Sequence, residues 1–246
     1  MKKGLIIIFL IAFSNSVWAN EVIKVASGNW EPFNSKREKN ANIAELLVDA
    51  AFKLEGIDTK YAYFPWKRSY SNVQKGKHDI SFPWIKNEAR QKDFLFNNVP
   101  LITEKTVFFH LKDLDFDWKD YNDLKKYKIG GTNGYASNKV LASNGINVDI
   151  VGTEELNYKK LLKGRIDLYP GAFFVGYYQI NRLFGPAKSA MFTNHSKPMT
   201  VDDYYVLFNK NNPKSKEWIQ KLDSGLRKLK TSGEYDRLVD QVLLKK

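Results

Sequence analysis

Phe64-Pro65-Trp66-Lys67-Arg68 is followed, one helical segment later, by Gly76-Lys77-His78-Asp79-Ile80-Ser81-Phe82-Pro83-Trp84 and then by Glu88-Ala89-Arg90. A Pro-Trp pair follows a strand-like run twice, and an arginine closes the stretch. Proline suits the entrance of a helix and glycine its exit, so residues 69–75 read as a helix between two strands, the second over residues 79–82. Apolar strands that end in aromatics and an arginine describe the wall of a ligand cleft. The plainer alternative is a strand-helix-strand unit whose tryptophans are simply buried.

Upstream, residues 22–26 read as a strand feeding Ser27-Gly28-Asn29-Trp30-Glu31-Pro32-Phe33, where Gly and Pro end regular structure. Ile43, Leu46, Leu47, Ala50, Ala51 and Leu54 then fall on one helical face, with Gly56 as the stop. Residues 61–64 make the next strand. Strands alternating with helices of crossover length predict an α/β fold with mostly parallel sheets. Such sheets bind ligands beyond the carboxyl ends of their strands, where Trp30, Trp66 and Trp84 all fall.

Downstream, residues 106–111 read as a strand. Asp113-Leu114-Asp115-Phe116-Asp117-Trp118 begins like a calcium loop. Trp118 stands where glycine is needed and Leu124 where a bidentate glutamate is needed, so calcium is rejected. Lys128-Ile129-Gly130-Gly131-Thr132-Asn133-Gly134 is strand, Gly-rich turn and helix start. It lacks the Gly-Lys-Ser/Thr of a phosphate loop and the dinucleotide glycine spacing, yet such a turn points backbone N–H groups into a cleft. Strand 148–151 and helix 154–163 follow. Gly164-Arg165-Ile166-Asp167 then echoes Gly76-Lys77-His78-Asp79, which suggests two lobes of similar plan. Residues 204–208 read as a strand, 215–230 as a helix broken at Gly233, and 234–244 as a terminal helix.

The chain has 246 residues, no cysteine and a formal net charge of +12. That length suits one large domain or two small ones, and no disulfide or thiol nucleophile can be argued. Lys2 and Lys3, an apolar run over residues 4–13, and Val17-Trp18-Ala19 have the order of a secretory signal peptide, with cleavage before Asn20. An uncleaved anchor is the rival. Export argues against nucleic acid as a partner, and the basic balance weakly favours an anionic ligand or envelope surface.

Trp30-x-Pro32-Phe33, Gly76-Lys77-x-Asp79, Glu88-x-Arg90 with Phe94-x-Phe96, Lys128-Ile129-Gly130 with Gly134, Gly164-Arg165-x-Asp167 and the break at Gly233 occur in one order along nearly the whole chain. In that order they resemble the family 3 solute-binding proteins, the periplasmic components of amino-acid ABC importers. The resemblance implies a two-lobed type II periplasmic binding fold, with lobe 1 at 20–107 plus 203–246 and lobe 2 at 108–202. It implies a small polar or amino-acid-like ligand held between the lobes. Trp30 stands at the covering aromatic and Trp66 at the opposing one. Arg90 stands at the arginine that pairs with a carboxylate, a task that suits planar guanidinium geometry. Trp84 and Arg68 add to that wall, and Gly134 and Tyr135 face it from the second lobe. The lobe-two carboxylate that would hold an ammonium is missing near Gly171-Ala172.

No cofactor, metal or catalytic residue is expected, and the protein is expected to be a monomer. Its expected partner is the permease of an ABC importer or, alternatively, a membrane receptor to which it signals. An enzyme of dehydratase type on the same fold is the remaining rival. No nucleophile elbow or metal-spaced pair occurs, and the three histidines, His78, His110 and His195, are scattered. Glu31 is the one acid suspected near the cleft.

Overall fold

Glu21–Ser27 forms the first strand, β1, and its side chains alternate as period-two geometry requires: Ile23 and Val25 enter the main core while Ala26 joins a smaller cluster on the other face. This computed structural model describes residues 21–37 and 42–243. The expected signal peptide, and the last residue of the terminal helix expected to reach Leu244, lie outside the described residues.

The elements after β1 are α1 (Ile43–Lys53), β2 (Ile57–Tyr63), α2 (Trp66–Gln74), β3 (Ile80–Ile85), a short α3 (Glu88–Asp93), β4 (Phe94–Phe96) and β5 (Ile102–Leu111). A 3-10 turn at Tyr121–Lys126 leads to β6 (Ile129–Thr132), α4 (Ala136–Ser143), β7 (Val148–Val151), α5 (Glu154–Leu162), β8 (Tyr169–Ala172) and α6 (Phe173–Ser189). The chain closes with β9 (Phe192–Asn194), β10 (Thr200–Asn209), α7 (Ser215–Ser232) and α8 (Glu234–Leu243). The expected α/β alternation is present.

The main sheet runs β2-β1-β3-β10-β5-β8, with β4 on β10 and β9 on β5, while β6 and β7 pair separately. Among the described strands β1–β2, β1–β3 and β6–β7 pair in parallel, and a single parallel bridge joins Ile129 to Leu168 just before β8. The other pairs are antiparallel, because β5 and β10 are long strands that run in opposite directions from Ile102↔Tyr204 to Thr106↔Thr200. One carries the chain out and the other carries it back. The start of β5 packs into the main core through Ile102. Its far half enters two other clusters through Val107 and Phe109, and through Phe108. The cores therefore change along these two strands.

The Gly-x-x-Asp echo has a structural meaning. The Asp79 carboxylate accepts from the Lys24 backbone N–H at 2.8 Å, and the Asp79 N–H donates to the Lys24 carbonyl at 2.9 Å. Asp167 makes the same pair of bonds with Lys128, at 2.7 and 2.8 Å. In both places an aspartate before one strand satisfies the backbone at the start of its neighbour, which would otherwise be left unpaired.

Several sequence expectations are corrected: the main sheet is mixed rather than mostly parallel, β2, α2 and β5 start at Ile57, Trp66 and Ile102 rather than at 61, 69 and 106, and two further differences stand out. β3 does not stop at Phe82; it runs to Ile85, because Trp84 and Ile85 pair with Tyr205 and Tyr204. The segment after Ala172, which carries no readable helical pattern, is the helix α6. Its opening Phe173-Phe174-Val175-Gly176-Tyr177-Tyr178 has strand-like composition. Its far end breaks from helical geometry at Gly185 (φ 67°) before Pro186. Packing overrides propensity here: Val175 and Ile180 are buried in two different clusters.

Candidate functional site

β1 ends in a tight loop in which the Trp30 N–H donates to the Asn34 carbonyl at 2.8 Å and the Phe33 N–H to that of Trp30 at 2.8 Å. This holds the Trp30 ring against Phe33 (centroids 4.6 Å apart) and against Tyr204 of β10 (5.1 Å). Beneath it the Asn34 amide donates to Ser27 Oγ at 2.9 Å.

Trp84 goes elsewhere. Between the pairs Tyr205↔Trp84 and Leu207↔Ser81, two residues of β3, Phe82 and Pro83, oppose Val206 alone, which is a β-bulge. The extra residue turns Trp84 away from the face of Phe82 and onto that of Ser81, whose Oγ accepts from the indole N–H at 2.9 Å. Trp66, the first residue of α2, stands edge-on to Trp84 at 5.3 Å and donates its indole N–H to the Asn29 carbonyl at 3.2 Å. It lies so close to Gly28 that a Cβ there would meet its ring at 2.5 Å.

Arg90 sits on α3, whose first turn is capped by Asn87 accepting from the Arg90 N–H at 3.0 Å. Its guanidinium donates to the Ile85 carbonyl at 2.6 Å and lies 5.0 Å from the centre of the Trp84 ring. The structure thus joins Trp66, Trp84 and Arg90 in one group and Trp30 with Tyr204 in another. Arg68 is exposed and lies over Phe64 at 5.7 Å, apart from both.

From the other side, Gly134 has a left-handed backbone (φ 82°) and turns the chain into Tyr135, which precedes α4. Tyr135 is 42% exposed, and its hydroxyl bonds to Glu154 at the start of α5. Gln179 of α6 donates to the same carboxylate at 2.5 Å. Burial pushes the Glu154 carboxyl up, against the lowering effect of these two bonds.

Tyr204 joins the groups. Its hydroxyl is held up to about 12, first by burial, then by the charges of Asp202 and Glu104, with Arg90 opposing them. It also acts on the Tyr135 hydroxyl. Trp30 thus packs against Tyr204, and Arg90, Glu104 and Tyr135, remote in sequence, interact with it electrostatically. Sequence reading missed it, as it missed Glu104. The available signal was an acid at position 104 in phase with the buried Ile102 of the same strand.

Gly171-Ala172 carries no carboxylate, as the sequence states. On the strand paired with β8, Glu104 of β5 accepts from the Phe174 N–H at 3.2 Å. Glu31, suspected as a cleft acid, instead accepts from Arg182 of α6 at 2.8 Å and from Ser35 Oγ at 2.9 Å. Among the described residues no group of three or more His, Asp or Glu side chains is placed to hold a metal ion. Two open grooves, of about 500 Å³ between Gln74-Lys75-Gly76 and residues 209–213 and about 550 Å³ around Lys125–Ile129 with Arg165, lie at the opposite strand ends, away from Tyr204.

Trp30 follows β1 and Trp66 follows β2, at the strand ends beyond which α/β sheets bind ligands. The profile of the bacterial extracellular solute-binding proteins, family 3, matches residues 22–245. The chain belongs to this family. No curated protein sequence matches it. Among solved structures, this family 3 protein is similar to the open second substrate-binding domain of Lactococcus lactis GlnP (23% identity, TM-score 0.76, covering 92% of this chain and 97% of that one). It is also similar to the second substrate-binding domain of a putative amino acid ABC transporter from Streptococcus pneumoniae (23%, TM-score 0.75, 90% and 99%). A histidine kinase sensor domain with similarity to periplasmic binding proteins matches at 16% identity and TM-score 0.63, over 91% and 96%. At these identities the likeness shows the type II periplasmic binding fold. No described helix is long and apolar enough to cross a membrane.

Proposed function

We propose that this family 3 protein captures a small, polar, amino-acid-like molecule between two lobes and delivers it to the permease of an ABC importer. The observation that carries the reading is the position of Tyr204. On the returning strand it packs against Trp30 and feels the charge of Arg90, and it acts in turn on the Tyr135 hydroxyl, which bonds to Glu154. The lobes are taken as 20–107 plus 203–246 and 108–202, joined through β5 and β10. Trp30 covers the ligand from the first lobe, and the Trp66–Trp84 pair backs Arg90, which holds an anionic group. Arg68 reaches the ligand only from the rim, while Gly134 and Tyr135 close over it from the second lobe. The Streptococcus pneumoniae neighbour, a domain of a putative amino acid ABC transporter, supports the substrate class. The leader places capture in the periplasm, and the ligand is bound without turnover.

The test is a thermal-shift screen of amino acids and small carboxylates, followed by calorimetry. Arg90→Ala is expected to weaken a carboxylate ligand by about 2–5 kcal/mol, the cost of breaking a charge-assisted pair in a dry cleft. Trp30→Ala is expected to cost on the order of 2 kcal/mol. Full affinity in both variants, with folding intact, removes the reading. A second reading, a sensor that presents its ligand to a membrane receptor, is favoured by the histidine kinase sensor domain among the neighbours. A permease or a kinase co-purifying with the liganded protein separates the two.

A further inference from the structure

The second open groove lies at the starts of β6 and β7, and four cations line it: Lys125, Lys126, Lys128 and Arg165, all exposed. Among the described residues none of the four forms an ion pair. The acid in the lining, Asp149, is already paired with Lys160. Two acids nearby are turned to backbone. Asp123 accepts from the Lys119 and Asp120 N–H groups at 2.7 and 3.2 Å and feels Lys126 only at longer range, and Asp167 accepts from the Lys128 N–H.

The cations are held in place. The aspartate clamp fixes the backbone at Lys128, and the buried Ile129 and Ile166 anchor the chain directly after Lys128 and Arg165. The Lys126 ammonium lies over the Tyr127 ring at 5.1 Å, and Lys125 passes beside Gly145. The first groove makes the contrast. It lies beside the matching Asp79 clamp, yet its lining is Asn209, Asn211 and Asn212 with a single lysine, Lys75, and Asn212 donates to Asp79 at 3.2 Å. A groove at the strand starts is therefore not basic by construction; the cations belong to the second one.

We propose that this groove docks the protein on an anionic phospholipid surface, its four cations pairing with the phosphates of neighbouring headgroups. The shape favours a surface over a small molecule. At about 550 Å³ and open to solvent, with charged and amide side chains for most of its lining, the groove does not enclose a ligand as apolar pockets do. Headgroups at a bilayer surface meet all four cations at once and stay hydrated, and each lysine or arginine so placed adds to the attraction. The guanidinium of Arg165 suits a phosphate bidentately. The formal net charge of +12 and the expected export bring the chain to such a surface. Because the groove lies at the strand ends away from Tyr204, docking leaves the cleft uncovered. The proposal goes beyond the capture reading and shares no residue with it.

The experiment is sedimentation with vesicles of phosphatidylcholine alone or mixed with phosphatidylglycerol, at low and at physiological salt. It uses the chain from Asn20 onward, the form left by the expected cleavage. One variant combines Lys125→Gln, Lys126→Gln, Lys128→Gln and Arg165→Gln. A control combines Lys24→Gln, Lys75→Gln, Lys77→Gln and Lys216→Gln, which removes the same charge elsewhere. Wild type is expected to bind only the vesicles with phosphatidylglycerol, and less at the higher salt. The groove variant should lose roughly hundredfold or more, Lys128→Gln or Arg165→Gln alone about fivefold, and the control less than about tenfold. Circular dichroism checks folding; if the fourfold groove variant does not fold, the two single variants carry the test. Wild type that ignores phosphatidylglycerol, a groove variant that binds like wild type, or equal losses in groove variant and control overturn the proposal. Calorimetry with inorganic pyrophosphate and with poly-L-glutamate completes it: binding of either, lost in the groove variant and without vesicle binding, assigns the groove to a soluble phosphate or an acidic protein and overturns the lipid assignment.

Discussion

Glu45 shows how single residues under the cleft set its pH behaviour. It lies on α1, is 6% exposed, and its oxygens accept the Tyr63 hydroxyl at 2.7 and 2.8 Å and the Ser27 hydroxyl at 3.3 Å. Desolvation outweighs those bonds and raises the carboxyl to about 7, with Asp49 adding to the rise. Its folded value therefore lies above the ordinary glutamate value of about 4.5, and between the two the native state holds a proton that the unfolded chain has lost. Stability accordingly falls as pH rises from about 4.5 to about 7 and is flat in this respect above and below. The penalty at neutral pH is of the order of 3 kcal/mol or less. Glu45→Gln keeps a partner for Tyr63 and should flatten the slope of unfolding free energy against pH in that window, measured by urea titration. A variant whose slope matches wild type shows that Glu45 does not titrate there. Ser27, Asn34 and Trp30 follow β1 directly, so the same substitution reports on how firmly the Trp30 loop is seated.

Among elements, the contact of α1 with α7 is the most constrained. Gly225 lies where the helices approach so closely that a Cβ would fall 2.2 Å from the Ala51 carbonyl oxygen. That neighbour is backbone and cannot rotate aside, so one helix must shift. Gly225→Ala is expected to destabilise by roughly 1–3 kcal/mol despite alanine's better helix propensity, read as a lower urea midpoint; an unchanged or raised midpoint would show that the helices can part. The bulge in β3 works at the same scale. One surplus residue reassigns Trp84 from the face of Phe82 to that of Ser81 and gives Arg90 an aromatic surface to lie on. Spacing alone does not reveal this, because a bulge shows only in the register of the partner strand. α6 was illegible for a related reason: its aromatic start reads as strand, and the clusters that bury Val175 and Ile180 come from distant parts of the chain.

For the molecule as a whole, the aspartate clamp that occurs twice and the opposed pair β5–β10 are what the proposed two-lobed arrangement rests on. Within it, Arg182 of α6 pairs with Glu31 beside Trp30 at 2.8 Å and approaches Glu155 at 4.0 Å. Arg182 is half exposed, so the pair is worth well under the value of a buried one, about 0.2–1 kcal/mol. Closure on ligand requires tighter binding to the closed state than to the open one. Small-angle scattering should show compaction when a ligand found by the screen is added. Arg182→Ala should shift the balance toward the open form by about two- to fivefold without abolishing compaction. A profile unchanged at saturating ligand counts against closure, and a variant that no longer compacts shows the link to be more than a weak latch.

Local rules made much of this protein legible. Period-two and helical spacing located β1, α1, β7, α5 and α7 to within a residue or two. The glycines at 56, 76, 164 and 233, all with positive φ, marked where elements stop, because only a residue without a Cβ enters that conformation readily. Six short motifs in order indicated the family. The assembly of the cleft was not legible in the same way. Tyr204 read as an ordinary strand residue and Glu104 fell outside the expected strand 106–111, while Trp30, Arg90, Tyr135 and Glu154 come from four separate segments. Whether a carboxylate is paired or left with a free oxygen depends on what crosses it in space. Only the tertiary structure settles that, because desolvation and hydrogen bonding are properties of surroundings and not of spacing.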